Sequence, residues 1–163
     1  MMNWSGLVVA LVGIAAARPA LAGDPIRAGG NFGLGLGGGL AVSGLSAKYW
    51  LADAHALQGI VGAWGLGRAG GSYLGVGLDY LVEMPTITDT EPVEIAWNLG
   101  VGGTLGVGGG GLGWAGASGV AGLEFNFHPV PIDLVLEYRP GVVVVPAFGA
   151  ALVNFSGHIR YYF

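Results

Sequence analysis

The chain has 163 residues, a formal net charge of −4, no cysteine, 53% apolar and only 10% charged residues. That length suits one domain rather than two. The acidic balance excludes a basic footprint for nucleic acid, and the lack of cysteine excludes disulfides, thiolate metal sites and thiol nucleophiles. With 34 glycines and 8 prolines the composition alone would suggest disorder, but a mean hydropathy of +0.64 leaves ample apolar surface to bury.

Residues 1–22 read as a signal peptide. Gly6 to Ala17 is an apolar run, Arg18 and Pro19 break it, and Ala20-Leu21-Ala22 offers a small-x-small cleavage pattern before Gly23. The preceding MMNWS carries no Lys or Arg, so only the amino terminus supplies positive charge there. Residues 23–163 then read as one β domain, in which short alternating stretches are punctuated by Gly, Pro, Asn and Asp.

The first predicted strand, Asn31 to about Ala41, sets Phe32, Leu34 and Leu36 against Gly33, Gly35 and Gly37. The second, Leu45 to Leu51, sets Leu45, Ala47, Tyr49 and Leu51 against Ser46, Lys48 and Trp50, and Asp53 to His55 turns the chain. A third runs from Ala56 to Trp64, where Gly59 and Gly62 blur the facing, with a turn at Arg68 to Gly71. The fourth, Ser72 to Val82, alternates most cleanly: Leu74, Val76, Leu78, Tyr80 and Val82 share one face, Gly75, Gly77 and Asp79 the other. Glu83 to Pro92 is the most polar connection.

The fifth strand, Val93 to about Gly103, opposes Ile95, Trp97 and Leu99 to Glu94, Ala96 and Asn98. Gly106 to Gly113 reads as a glycine-dominated loop. The sixth strand, about Ala117 to Phe127, opposes Leu123, Phe125 and Phe127 to Gly122, Glu124 and Asn126. The seventh starts at Ile132 and opposes Leu134, Leu136 and Tyr138 to Asp133, Val135, Glu137 and Arg139; Pro140 interrupts it, so a bulge is expected there.

The last strand, Ala151 to Phe163, has Val153, Phe155, Ile159, Tyr161 and Phe163 on a greasy face and Leu152, Asn154, Ser156, His158, Arg160 and Tyr162 on the other. It exceeds the roughly 9 to 11 residues that a tilted strand needs to cross a bilayer. An even count of eight strands, with both ends on one side, predicts an all-β fold: an eight-stranded antiparallel up-and-down transmembrane barrel.

Charge decides the sides. Lys48, Asp79, Glu94, Glu124, Asp133, Glu137, Arg139 and Arg160 all fall opposite the large apolar residues. An outward basic residue near a bilayer midplane would cost roughly 2 to 4 kcal/mol, so these charges are expected to face the lumen. The interior of so small a barrel is only wide enough for side chains, and inward glycines leave room for the long ones. Folding the last hairpin about Pro146 to Ala150 puts Arg160 near the level of Glu137, with Arg139 about one pair further along. Lys48 is expected to reach Asp79.

The segments GLSAKYWLADAHALQ (Gly44 to Gln58), SYLGVGLDYLV (Ser72 to Val82), PIDLVLEYRPGVVVVP (Pro131 to Pro146) and GHIRYYF (Gly157 to Phe163) resemble a family of small bacterial outer-membrane β-barrels built like the OmpA membrane domain. The resemblance covers most of the mature chain and is poorest at Gly106 to Gly113. It implies a monomeric barrel in the Gram-negative outer membrane, with outer-membrane lipid and the barrel assembly machinery as partners and no catalytic residues. Phe155, Ile159, Tyr161 and Phe163 then resemble the assembly signal of a closing strand.

Other motifs weigh less. Gly33 to Gly38 satisfies GxGxxG, but no helix follows it, so a glycine-rich strand is the better reading. Ser156 and His158, with Glu124 or Glu137, could form a hydrolase triad, yet alternation turns them into the lumen. His55 and His128 fall in turns, three scattered histidines make a poor metal set, and Asn154-Phe155-Ser156 is a sequon inside a strand. No cofactor is expected. The function expected is that of a structural or interaction barrel with a plugged, charged and glycine-rich lumen. The alternative is a narrow pore or a lipid-modifying enzyme, and the short predicted loops at Val42 to Gly44, Gly67 to Gly71, Gly106 to Gly113 and Pro146 to Ala150 leave little surface for a large ligand.

Overall fold

A computed structural model describes residues 30–64, 73–108 and 111–163. The signal-peptide segment 1–22 and the turn at 67–71 lie outside the described residues. Within them every regular element is a strand: β1 (Phe32–Gly39), β2 (Val42–Ala52), β3 (His55–Trp64), β4 (Tyr73–Glu83), β5 (Thr88–Asp89), β6 (Val93–Gly108), β7 (Gly111–Phe127), β8 (Ile132–Tyr138), β9 (Gly141–Val145), β10 (Gly149–Ala151) and β11 (Phe155–Tyr162).

These strands form a closed, eight-staved antiparallel barrel. β1 to β4 pair in chain order, β4 pairs with β6, and β6 with β7. The seventh stave is β8 continued by β9, the eighth is β10 continued by β11, and β11 returns to β1 from Gly33↔Tyr162 to Gly39↔Ser156. Closure leaves the eight staves without a free edge along their shared length. β5 lies apart from the ring, a two-residue strand within the polar connection that pairs with the start of β6.

Two predicted loops are strand instead. Val42 to Gly44 belongs to β2, so the first hairpin turns at Leu40 and Ala41. In the glycine-rich stretch Gly106 to Gly113 the described residues are mostly paired, with β6 running to Gly108 and β7 starting at Gly111. A run of glycines weakens a strand without forbidding it, and cross-strand pairing decides the outcome.

The bulge expected at Pro140 lies across from it. Gly122↔Glu137 and Ala117↔Val142 belong to one unbroken register between the seventh stave and β7. Proline removes only one ladder bond, and the Pro140 carbonyl still accepts from Gly119 N–H at 2.9 Å. The eighth stave carries the extra residue. Arg139 N–H donates to the Asn154 carbonyl at 2.8 Å while Gly141 faces Ala151, so three steps on one strand oppose two on the other. Leu152, expected inside, is therefore exposed beside Val153.

Side chains divide by strand parity. Outward positions carry most of the large apolar residues, while Arg160, Lys48, Gln58, Glu124, Glu137 and Leu81 are among the largest fully buried side chains. Inside, Trp50, Ala56, Leu81, Val120 and Tyr162 make one apolar cluster. Val42 and Ile60, flanked by Ala41 and Trp114, make another toward the hairpin end.

Candidate functional site in the barrel lumen

All eight charged residues that alternation turned inward are buried, but their partners differ from those expected. Lys48 of β2 does not reach Asp79. Its Nζ donates to Glu83 Oε1 of β4 at 2.7 Å and to Glu124 Oε1 of β7 at 2.5 Å, and lies 4.4 Å from the centre of the Trp50 ring. Asn98 of β6 donates to the same Glu124 oxygen at 2.6 Å. One ammonium thus ties three staves across the lumen.

Arg160 pairs with Asp133 rather than with Glu137. Its Nη2 donates to Asp133 Oδ2 at 2.7 Å and its Nε to both carboxylate oxygens at 3.1 Å, while the Tyr162 hydroxyl donates to Oδ2 at 2.7 Å. Such multiply bonded guanidinium–carboxylate pairs are strong and geometrically specific. Arg139 takes the place expected for Lys48 and Arg160: its Nη1 donates to Asp79 Oδ2 and Glu137 Oε2, both at 2.8 Å, and its Nη2 to Asp79 Oδ1.

Gln58 of β3 joins the two arginine clusters. Its Oε1 accepts from Arg160 Nη1 at 2.5 Å, and its Nε2 donates to Glu137 at 2.7 Å and to Asp79 at 3.2 Å. Glu94 stands apart, held by Thr86 Oγ1 at 2.5 Å and Asn126 Nδ2 at 3.5 Å, with no cation in ion-pair range among the described residues.

Inward glycines accommodate this packing. A Cβ on Gly102 would overlap the Asp79 carboxylate, one on Gly122 would lie 2.7 Å from Asn98 Oδ1, and one on Gly33 would lie 2.8 Å from the Tyr162 ring. The space left toward the hairpin end is about 30 Å³, lined by Arg139, Ser156 and His158 on one side and Val42, Ile60 and Trp114 on the other. That is room for about two water molecules.

The serine beside His158 is Ser46 rather than Ser156. Ser46 Oγ lies 2.8 Å from His158 Nδ1, and His158 Nε2 lies 3.3 Å from Glu137 Oε2. Ser156 Oγ donates instead to Glu137 at 2.8 Å. The order serine–histidine–carboxylate is that of a hydrolase relay, but Ser46 is fully buried and sits mid-strand between β1 and β3. Paired strand amides offer no pair of free donors for a developing oxyanion. His55 meets the Tyr80 hydroxyl at 2.7 Å, and His128 meets Asp89 at 2.8 Å; among the described residues no group of three His, Asp or Glu is placed to hold a metal.

Sequence reasoning missed Glu83, Gln58, Asn98, Ser46 and Tyr162 as members of the network. For Glu83 the signal was present: four residues after Asp79, it continues the inward parity of the cleanest strand. Gln58 was hidden by Gly59 and Gly62, which carry no side chain to mark a face. With Glu83 included, six buried acids (Asp79, Glu83, Glu94, Glu124, Asp133 and Glu137) share the lumen with three buried bases.

Phe155, Ile159, Tyr161 and Phe163 lie on the outward face of β11 and just beyond it, all exposed. The glycines of Gly33 to Gly38 lie in β1, paired on both sides. Comparison with protein-family models, curated proteins and solved structures finds no match for this chain.

Proposed function

We propose that the protein is an integral outer-membrane β-barrel of the Gram-negative type, with a structural or interaction role and a lumen plugged by its own charged network. The observation that carries this reading is the inversion of burial. Lys48, Arg160 and Glu124 are at most 1% exposed, while Leu36, Leu45, Leu74, Leu78, Leu136 and Ile159 stand outward at 50 to 61%. Monomeric soluble proteins rarely expose contiguous apolar patches beyond a few hundred Å². In hydrocarbon the same wall is matched to its surroundings, and a closed barrel satisfies the backbone without water. Outward Tyr49, Trp97, Tyr138 and Tyr161 add the amphipathic rings that settle at headgroup level.

In this reading the cleaved segment ends at Ala22, outer-membrane lipid surrounds a monomer, and the barrel assembly machinery recognises the outward face of Phe155, Ile159, Tyr161 and Phe163. No catalytic step or cofactor is part of it. The test is fractionation of cells expressing the full chain, followed by reconstitution in a planar bilayer and a lipid-hydrolysis assay. The expected result is recovery in the outer-membrane fraction, resistance to alkaline extraction, no steady current and no hydrolysis. Recovery in the soluble fraction would refute the membrane reading; a stable conductance or lipid turnover would favour the pore or enzyme alternatives.

A further inference from the structure

The outward wall is not uniformly convex. A groove of about 350 Å³ crosses β4, β6, β7 and the seventh stave. Its floor is Gly119 and Ala121 of β7; Tyr80 and Val101 flank it on one side, Tyr138 and Pro140 on the other. Register explains the shape. Tyr80 faces Val101, Val101 faces Gly119, and Gly119 N–H reaches Pro140, so one rung of the sheet runs large, large, absent, large. On the next outward rung Ala121 faces Tyr138.

The groove asks nothing polar of an occupant at its flanks. The Tyr80 hydroxyl is engaged by His55 Nδ1 at 2.7 Å, and the Tyr138 hydroxyl donates to the Leu152 carbonyl at 2.8 Å, so both tyrosines offer the groove only their rings. A second protein fits it poorly: a stable interface needs roughly 800 Å² from each partner, and a barrel wall that curves away on both sides of the groove meets another along a narrow line. What fits is a single flexible hydrocarbon chain of narrow section.

We propose that this groove is a fixed seat for one acyl chain of a membrane lipid. The proposal rests on the membrane reading above and adds that one lipid is held at a defined place while the rest of the wall exchanges its neighbours.

The test reconstitutes the full chain in phosphatidylethanolamine vesicles, extracts it into detergent and counts retained lipid by native mass spectrometry. Wild type is expected to carry one lipid. Ala121→Phe and Gly119→Leu fill the groove and should lose that adduct, while Leu136→Phe, on the same wall outside it, should keep it. A Cβ at Gly119 meets only the Pro140 carbonyl, at 3.9 Å, so the Gly119 variant is compatible with the fold. Wild type without an adduct, or equal retention in all four proteins, overturns the proposal. A dimer that Ala121→Phe dissolves overturns it in favour of a protein partner. Protease protection in the vesicles separates the two levels: a protected barrel with no retained lipid sinks only the groove, whereas an unprotected chain sinks the membrane reading beneath it.

Discussion

Arg160 and Asp133 are direct partners in the ladder between β11 and β8, and their side chains close on each other inside the barrel at 2.7 Å. Both are at most 1% exposed. The pair is therefore fixed twice, by backbone register and by a guanidinium bonded to both carboxylate oxygens.

Arg160→Met should lower stability by roughly 3 to 5 kcal/mol, because it leaves Asp133 buried without its cation. Arg160→Met combined with Asp133→Asn should recover most of that loss. Unfolding midpoints in detergent measure both. Additive losses in the double variant would mean that the two groups are solvated independently.

The misplacement of Arg160 opposite Glu137 in the sequence reading has a definite origin. Folding about the middle of Pro146 to Ala150 is a reasonable guess from turn-forming residues, but β9 and β10 pair as Val143↔Gly149, which centres the turn on Pro146. The extra residue at Leu152 and Val153 then moves β11 one step back, so that Arg160 faces Asp133 rather than Ile132. Along β11 parity survives both errors, so Arg160 still points inward, but its height does not. Alternation decides which face a residue occupies only within an unbroken strand; a bulge reverses the face beyond it, as at Leu152, and turn centres and bulges together decide whom a residue meets. The same limit explains Lys48, whose parity was legible and whose reach across the lumen to Glu83 and Glu124 was not.

Lys48→Met should cost more than Arg160→Met. It strands two buried carboxylates on one site and removes the cation from the Trp50 ring. Adding Glu83→Gln and Glu124→Gln should restore much of the stability, and neither substitution alone should restore as much as the two together. A Lys48→Met protein with an unchanged thermal midpoint would show that the cluster is hydrated.

Glycines on the two faces should respond in opposite ways to alanine. Gly102 lies where the Asp79 carboxylate packs, so Gly102→Ala overfills the lumen and should lose about 1 to 3 kcal/mol. At Gly59 the nearest atom to an added Cβ is the Gly77 carbonyl, 3.8 Å away, so Gly59→Ala should be neutral or stabilising by up to roughly 1 kcal/mol. Thermal midpoints of the two variants in the same detergent decide it; equal losses would remove the argument that inward glycines are there to admit long side chains.

The sign of any leak through the barrel follows from its charge. Wild type holds six buried acids against three buried bases, and Arg139 and Gln58 occupy the space between the small vestibule and the Arg160 cluster. Removing both side chains in Arg139→Ala with Gln58→Ala opens that space and leaves Asp79 and Glu137 without their cation. In a narrow path with low-dielectric walls, fixed charge of one sign concentrates the opposite counter-ion. The double variant should therefore pass a steady current where wild type is expected to pass none, and in a potassium chloride gradient its reversal potential should lie on the cation-selective side. An anion-selective current would mean that the acids are neutralised in place, and a variant that stays silent while still folded would move the constriction to the Lys48, Glu83 and Glu124 cluster.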